Sequence, residues 1–424
     1  MNKSEYMERR EIIFISFLIV SFQMIGIFPG RLDISDLFFV TIVPLWLILI
    51  FTRKNYQIVG SSLNYLNLAL LSIGILSVIN GGLASINTML SLIKAMLFSF
   101  LIIDIVRRKE CVVYFMKTLI VVTTFSAIVG ILQEIIFLKT GVIFAAYDKR
   151  NIGLILEQTS MGTFLRVPAF TKMHLFLANY LVLSLLIVFN AFLYLWNSLK
   201  GKDKKWLTIS MVITGIALIL TFSKTNFIGL GVGILFSVLI KWPPYFIHIS
   251  LLLLLFMVFA YLGGFVHIFY ESIISEMQLL GDTGLRLELM RGGIEGFFNK
   301  YPFIGAGLGQ GKKYTQDAIG WGAHNAFVLA ADDVGIFGLL IFCSIFLYGA
   351  LRLIFAIFIA RDPEEKAILK TLLVGLIALF INIQFQPDFL SYYNWIYIGF
   401  VESAVIVIRK RSKMFQQESM AMVS

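Results

Sequence analysis

The residues best suited to chemistry lie in one polar stretch, residues 284–338, between two very hydrophobic segments. It carries two arginines, Arg286 and Arg291, then a glycine-rich run, and then the pair His324 and Asn325. Arginine presents a planar fork of N–H groups that pairs bidentately with phosphate oxygens. Histidine can exchange protons near neutral pH. Cationic groups and one histidine at a membrane face would suit chemistry on a phosphorylated lipid.

The two arginines admit two interpretations. In a short helix over residues 286–299 they would lie about 140° apart, because each residue turns the helix by about 100°. They therefore need not share one face. One interpretation is solvated charge at the membrane interface, and the other is binding of a diphosphate. The sequence leaves both open.

The glycine-rich run is followed by Lys312 and Lys313, which invites comparison with nucleotide-binding loops. It does not fit the P-loop pattern, because Ala306 stands where that pattern needs its first glycine and Lys313 where it needs serine or threonine. It is also not a G-x-G-x-x-G motif after a strand. We predict a tight turn next to Pro302, with close backbone approach to a ligand as the alternative.

His324 is a candidate general base or substrate ligand, with a structural role as the alternative. No second histidine or carboxylate pair with metal-ligand spacing lies near it, and no D-x-D motif occurs in the chain, so we predict neither a metal nor a cofactor.

Lys224 lies in a short turn, where it either binds an anion or snorkels to the interface. Asp332 and Asp333 follow at the start of a hydrophobic run, and buried carboxylates there should pair with a cation.

The elements that position these residues are membrane helices. The chain is 59% hydrophobic and 14% charged, and its hydrophobic runs are long enough to cross a bilayer core of ~30 Å. The backbone in lipid must satisfy its own hydrogen bonds, so these runs are helices. We predict an all-α bundle of about twelve transmembrane helices, at 12–28, 37–51, 63–79, 86–106, 111–137, 173–196, 206–222, 226–240, 246–269, 323–360, 366–385 and 389–408. The tenth run is too long for one perpendicular crossing, so it must be tilted, broken or partly outside the bilayer core.

Basic residues in the short loops set the orientation. With the N-terminus inside, the basic clusters also lie inside, at 53–54, 107–109, 200–205 and 409–411. We therefore predict a multi-pass protein of the plasma (inner) membrane with cytoplasmic N- and C-termini. Residues 1–424 form one membrane domain, with long external loops at 138–172 and 270–322. The basic loop residues that set the orientation account for most of the net charge of +10. No basic face suited to nucleic acid is present in the sequence.

These motifs resemble the O-antigen polymerase and ligase family. The principal pattern consists of Arg286, Pro302, Gly305-x-Gly307, His324-Asn325, Asp333 and Gly335-x-x-Gly338. Two weaker similarities are Arg166 followed by Phe170 and Ala178-x-Tyr180-Leu181, and the turn Ser223-Lys224. Lys224 and Asp333 stand where the family usually has arginine and glutamate, so the charge is kept at both positions.

The resemblance implies a glycosyl transfer at the outer face of the plasma membrane. The implied fold is an all-helical bundle of the kind used by lipid-sugar (GT-C-like) glycosyltransferases. The donor would be an oligosaccharide on undecaprenyl diphosphate, and no nucleotide, cofactor or metal is needed. The resemblance gives catalytic roles to His324 and Arg286. It gives substrate-binding roles to Lys224, Arg291, Arg166, Asn325 and Asp333.

Three activities remain open. A polymerase would join lipid-linked repeat units of O-antigen, capsule or another surface polysaccharide, and a ligase would transfer the glycan to lipid A core of lipopolysaccharide. Nothing in the chain identifies the acceptor. We favour the polymerase only because it is the more frequent activity of the family. A flippase would concentrate charge in a central cavity, whereas here charge concentrates in a long external loop. The lipid bilayer is an expected partner, a chain-length regulator is allowed by the resemblance, and nucleic acid is not expected.

Overall fold

The structure is a computed structural model. It describes residues 9–23, 34–52, 59–143, 156–159, 162–171, 173–243, 248, 282–299, 301–311, 323, 325–386 and 389–421. The α-helices in this part of the chain are α1 Arg9–Gln23, α2 Ile34–Thr52, α3 Ser62–Gly81, α4 Ile86–Ile105, α5 Lys109–Thr140, α6 His174–Leu195, α7 Gly201–Leu220, α8 Lys224–Lys241, α9 Asp282–Asn299, α10 Ala326–Ile359, α11 Pro363–Ile383 and α12 Tyr392–Ala421. A 3-10 turn, Gly82–Ser85, joins α3 to α4. Strands β1 Leu156–Thr159 and β2 Gly162–Leu165 form an antiparallel hairpin with Leu156 opposite Leu165.

The predicted class of helical membrane protein is confirmed. Helices occur at eleven of the twelve predicted positions, and the ninth run, 246–269, lies outside the described residues apart from residue 248. Among the described residues, six stretches are long and apolar enough to cross a membrane, namely Ser62–Ile105, Lys109–Thr140, His174–Leu195, Lys224–Lys241, Ala326–Ile359 and Pro363–Ile383. The count of about twelve spans therefore stays a prediction.

Large apolar side chains cover the outside of the helices. On α10 they recur at helical spacing, and Phe337, Leu340, Leu347, Leu351 and Phe355 are all exposed. An apolar surface of this extent is rare on a soluble monomer. It suits contact with lipid tails, which agrees with the spanning length of α10.

Helix α11 lies at the centre of the bundle, in contact with α6, α8, α10 and α12. Around it, α10 also packs against α3, while α4 packs against α12 and α5 against α7. Trp395, Phe342 and Phe389 are among the largest fully buried side chains of the core. Helices α7 and α11 end where α6, α8 and α10 begin, as the contacts described below show. Helix α5 ends there too, because Gln133 near its C-terminal end exchanges hydrogen bonds with the Ala169 backbone just before α6. We call this end of the bundle the site end.

Helix α10 is not continuous. Gly335 has φ 71° and ψ −172°, which interrupts the helix two residues after Asp333. An added β-carbon at Gly335 would collide with the carbonyl of Phe303, so this position needs glycine both for its conformation and for its close neighbour. The tenth run, predicted to be tilted, broken or partly outside the bilayer core, is thus broken.

A turn formed by residues 301–311, which we call the glycine turn, covers this break. A break in a membrane helix exposes backbone groups that lipid cannot satisfy. Three backbone hydrogen bonds from the glycine turn satisfy them: Ala306 N to Asp332 O at 2.7 Å, Gly307 N to Asp333 O at 3.1 Å, and Ile336 N to Pro302 O at 2.8 Å. The turn and the helix therefore depend on each other.

We expect Gly335→Ala to destabilise the protein strongly. The substitution adds steric conflict with Phe303 to backbone strain of about 1–3 kcal/mol. The matched control is Gly231→Ala in α8, where an added β-carbon meets nothing within 4 Å. Thermal unfolding in detergent should show a clear loss for Gly335→Ala alone. Equal melting of the two variants would contradict the role given to the break.

Candidate functional site

Helix α9 presents one buried stripe to α10, formed by Leu289, Gly293 and Phe297. These residues recur every four positions, which is the spacing of one helix face. The backbone position of Arg286 lies about 20° from Gly293 around the helix, because the two are seven residues apart. Arg291 lies about 160° from Gly293 by the same geometry. The two arginines of the predicted helix therefore occupy opposite faces.

Arg291 is on the exposed face of α9. Its side chain is 82% exposed and its Nε donates to Glu295 Oε1 at 2.7 Å. The hydrogen bond from Arg291 to Glu295 raises the pKa of the guanidinium, so it stays cationic. Of its two interpretations, this geometry favours solvated charge. The structure does not bring Arg291 to the stripe that faces α10.

The glycine turn is held to α10 by the carboxylate of Asp333. Its two oxygens accept hydrogen bonds from Gly309 N at 2.7 Å and Gly311 N at 2.8 Å. Gly305 is fixed from the other side, since Asn80 of α3 donates its Nδ2 to the Gly305 carbonyl at 2.8 Å. Gly305, Gly307 and Gly309 all have positive φ, which confirms the predicted tight turn. Asp333 was predicted to bind substrate and to pair with a cation, but the hydrogen bonds described here are to backbone amides.

Asn325 caps the start of α10. Its Oδ1 accepts from Phe327 N at 2.9 Å and Val328 N at 3.1 Å, and its Nδ2 donates to the Gln384 carbonyl at 2.9 Å. The side chain predicted to bind substrate is thus engaged with the fold. His324 lies outside the described residues, but its two chain neighbours are both buried beside α10.

Four buried amides join the spans beneath the Lys224 turn. We call Asn179, Asn226, Asn382 and Gln386 the amide cluster. Asn382 Nδ2 donates to Asn179 Oδ1 at 3.1 Å and to Asn226 Oδ1 at 2.8 Å, and Asn179 Nδ2 donates to Gln386 Oε1 at 2.8 Å. Asn226 Nδ2 in turn reaches Ser223 Oγ at 2.8 Å. The cluster therefore ties α6, α8 and the end of α11 together.

The last turn of α11 and the residue after it connect the two halves of the candidate site. Asn382 holds the first turn of α8, and Gln384, two residues later, holds Asn325 at the start of α10. Lys224 is the first residue of α8 and is exposed. The N-termini of α6, α8 and α10 thus meet at the end of α11. Helix N-termini carry partial positive charge, so this end of the bundle favours an anion.

Arg166 is at the site end but already has a carboxylate partner. Its Nε donates to Glu157 Oε2 at 2.7 Å across the hairpin. The segment that carries it is attached to α7 through Val167 N and Leu220 O, 3.2 Å apart. A substrate role for Arg166 would require it to exchange or share Glu157.

A comparison with known families adds to this geometry. Residues 209–343 match a family model described as O-antigen ligase. The resemblance to the O-antigen polymerase and ligase family is confirmed. The matched region runs from α7 to the middle of α10, so it includes Lys224, α9 and the glycine turn. Arg166 lies outside it. No curated protein matches the chain.

The family match supports a ligase- or polymerase-type function in polysaccharide biosynthesis, in a multi-pass membrane protein. Family members are glycosyltransferase-like enzymes, and their substrates are lipid-linked glycans. Within the described residues, no three His, Cys, Asp or Glu side chains are placed to hold a metal ion.

The amide cluster was not identified from the sequence. A signal was available, because Asn179, Asn226 and Asn382 each interrupt or border a hydrophobic run. Polar groups in a membrane are costly unless they pair, so they mark functional or packing sites. Their mutual contacts, however, join positions that are far apart in the sequence.

We expect Asn382→Leu to lower both stability and activity. It conserves approximate volume but leaves Asn179 and Asn226 without their donor, which costs about 1–3 kcal/mol. Displacement of the Lys224 turn should lower the transfer rate by ~10-fold or more. The control is Asn190→Leu, which removes a buried amide that donates within its own helix to Leu186 O. Rates at matched protein level should fall only for Asn382→Leu, and a fully active variant would remove the cluster from the site.

Proposed function

We propose that this protein is a polymerase-like glycosyltransferase that joins undecaprenyl-diphosphate-linked repeat units at the outer face of the plasma membrane. One observation carries the proposal. In the region that matches the O-antigen ligase family, the start of α8 with Lys224 and the start of α10 meet at one end of the bundle, and α9 with Arg286 packs against α10. Such a cationic end suits a lipid diphosphate.

The reaction needs no nucleotide-activated sugar, because the donor glycan already carries its diphosphate leaving group. The acceptor hydroxyl oxygen attacks the anomeric carbon of the donor glycan, and the bond between that carbon and the diphosphate oxygen breaks. The electron pair leaves with the diphosphate, where Arg286 and Lys224 stabilise the growing negative charge. His324 takes the proton of the acceptor hydroxyl, a contribution of typically ~10²–10⁴-fold.

The decisive experiment is incubation of the purified protein with a lipid-diphosphate-linked repeat unit in proteoliposomes, with and without chelator. A ladder of longer lipid-linked glycans supports the polymerase, and single transfer to lipid A core supports the ligase. Movement of the substrate across the bilayer without covalent change supports a transporter. Activity that chelator abolishes and a divalent ion restores would contradict the metal-independent mechanism.

The orientation is part of the proposal. The end of the bundle opposite the site carries ion pairs such as Lys109 with Asp362 at 2.8 Å and Glu364 at 2.6 Å, together with the basic loops of the sequence. Basic loops remain cytoplasmic, and this supports a site end that faces outward.

Cysteine labelling tests this orientation in a chain whose Cys111 and Cys343 have been replaced by alanine. We expect Thr315→Cys, in the predicted external loop, to react with an impermeant reagent in intact cells or spheroplasts. Asp203→Cys, in the basic first turn of α7, should react only after the membrane is broken. The reverse pattern would contradict the proposed side of the reaction.

Two arginines of one helix form a matched pair for mutation. We expect Arg286→Ala to lower the transfer rate by ~100-fold or more, because it removes a charge that stabilises the leaving diphosphate. Arg291→Ala should stay within about twofold of wild type, because its exposed ion pair with Glu295 contributes little. Both proteins should accumulate normally in the membrane. Equal losses from the two substitutions would contradict the assignment of the two faces of α9.

Lys224 tests whether positive charge is needed at the start of α8. If it binds the donor diphosphate, Lys224→Ala and Lys224→Gln should each lose roughly 10- to 150-fold in rate, equivalent to a charged hydrogen bond of ~1.5–3 kcal/mol. Lys224→Arg should keep substantial activity. If Lys224 only snorkels to the interface, all three variants will have similar initial rates.

A further inference from the structure

Two adjacent buried aspartates of α10 have different surroundings. Asp333 accepts two backbone hydrogen bonds from the glycine turn. Asp332 is 1% exposed, and neither of its carboxylate oxygens has a hydrogen-bond partner among the described residues. Burying a carboxylate without a partner costs free energy, and a charged group at membrane depth is a functional candidate by default. Within the described residues, no hydrogen bond gives the Asp332 carboxylate a structural role.

The direction of this carboxylate is defined by two glycines. A β-carbon at Gly293 would lie 2.8 Å from Asp332 Oδ2 and 3.5 Å from Ala323 Cβ. A β-carbon at Gly311 would lie 2.6 Å from Asp332 Cβ. The carboxylate end therefore points toward α9 and the residue just before His324. The stem of the side chain faces the glycine turn at Gly311.

The other groups around Asp332 narrow its possible partner. The stripe that α9 presents is apolar, and Arg291 and Glu295 lie on the far side of that helix. From α10 itself, Val328 reaches the same space beside Gly293, and Asp333 is engaged by the glycine turn. In the chain, Lys312 follows Gly311 and His324 follows Ala323, and α9 carries Arg286; the side chains of these three residues lie outside the described part. Position 286 is seven residues, or about 10 Å, along α9 from Gly293.

We propose that Asp332 is a positioning residue for His324. In the working site its carboxylate accepts a hydrogen bond from one imidazole nitrogen, which fixes the tautomer that presents the other nitrogen to the acceptor hydroxyl. Such contacts often tighten only when substrate is bound. The proton of the acceptor hydroxyl ends on His324, whose imidazolium the Asp332 carboxylate stabilises. The inference rests on the proposed glycosyl transfer and deepens it.

The test is the pH dependence of the transfer rate in Asp332→Asn. A neighbouring carboxylate favours imidazolium and raises the pKa of His324, so the neutral base forms only at higher pH. The Asn variant should therefore show a rate lower by ~10- to 100-fold. The acidic limb of its pH–rate profile, where the rate falls as His324 becomes protonated, should move to lower pH. Its melting temperature and its KM for the donor should stay close to those of wild type. Asp332→Glu, which keeps the carboxylate, should retain the wild-type limb with partial activity.

Asp333→Asn is the matched control. It disturbs the amide contacts of the glycine turn, so it should lower the melting temperature, and the activity that remains should keep the wild-type limb. If turnover of Asp332→Asn is too low for a profile, ¹³C NMR of labelled histidine measures the pKa of His324 directly, with His324→Gln assigning its signal among the four histidines. That pKa should fall in Asp332→Asn and stay unchanged in Asp333→Asn.

Three results would overturn the inference. An Asp332→Asn protein with the wild-type rate and limb would show that the carboxylate is dispensable. A second contrary result is a slow Asp332→Asn variant that keeps the wild-type acidic limb and the wild-type pKa of His324. If Lys312→Gln lowers the rate equally and the double variant is no slower, Asp332 is the partner of Lys312 instead. A wild-type protein that transfers no sugar would overturn the proposed function and this inference with it, whereas the first two results leave the function intact.

Discussion

An interrupted membrane helix leaves carbonyl and amide groups that lipid cannot satisfy, and the break of α10 at Gly335 creates this demand. The glycine turn meets it through backbone bonds to Asp332, Asp333 and Ile336. Because Asp333 then clamps Gly309 and Gly311, the turn has one position on the helix. The chain just before the turn is α9, whose buried stripe packs on the same part of α10. The position of α9, which carries Arg286, thus depends on the hydrogen bonds between the glycine turn and the break in α10.

The Lys224 half of the site depends on a second set of buried polar groups. The amide cluster fixes the start of α8 to the end of α11, and Gln384 fixes Asn325 only two residues further on. Hydrogen bonds between membrane helices are individually modest, at about 0.6 kcal/mol on average. Several of them around one short segment nevertheless determine where two helix N-termini lie relative to each other. Positive charge at this end therefore comes from helix termini as well as from side chains.

The sequence was sufficient for features that depend on local composition or spacing. Hydrophobic length located the helices, the alternating glycines predicted the turn, and the excessive length of the tenth run allowed for its break. The short helix from Arg286 to Asn299 was also foreseen. The sequence left open which face of this helix is buried, because that depends on its packing against α10. Only after α9 and α10 pack does Arg291 separate from Arg286.

Roles that depend on distant contacts could not be read from the chain. Charge alone does not distinguish Asp333, whose carboxylate holds the turn, from Asp332, whose carboxylate accepts no hydrogen bond in the described part of the structure. Asn325 fits the motif of the family, yet here it caps a helix and contacts Gln384, which is fifty-nine residues away. The amide cluster likewise joins residues separated by up to 207 positions. Such pairs become visible only when the spans are assembled.

We propose that the glycine turn at the break of α10 and the amide cluster together place α9, the start of α8 and residue 324 around one lipid diphosphate. The most direct measurement is a cryo-electron microscopy structure of the protein with an undecaprenyl-diphosphate-linked oligosaccharide. We predict diphosphate density at the site end, between the Lys224 turn and the α9 stripe, with the first sugar beside residue 324. Diphosphate density at the opposite end of the bundle, near Lys109, would contradict the account.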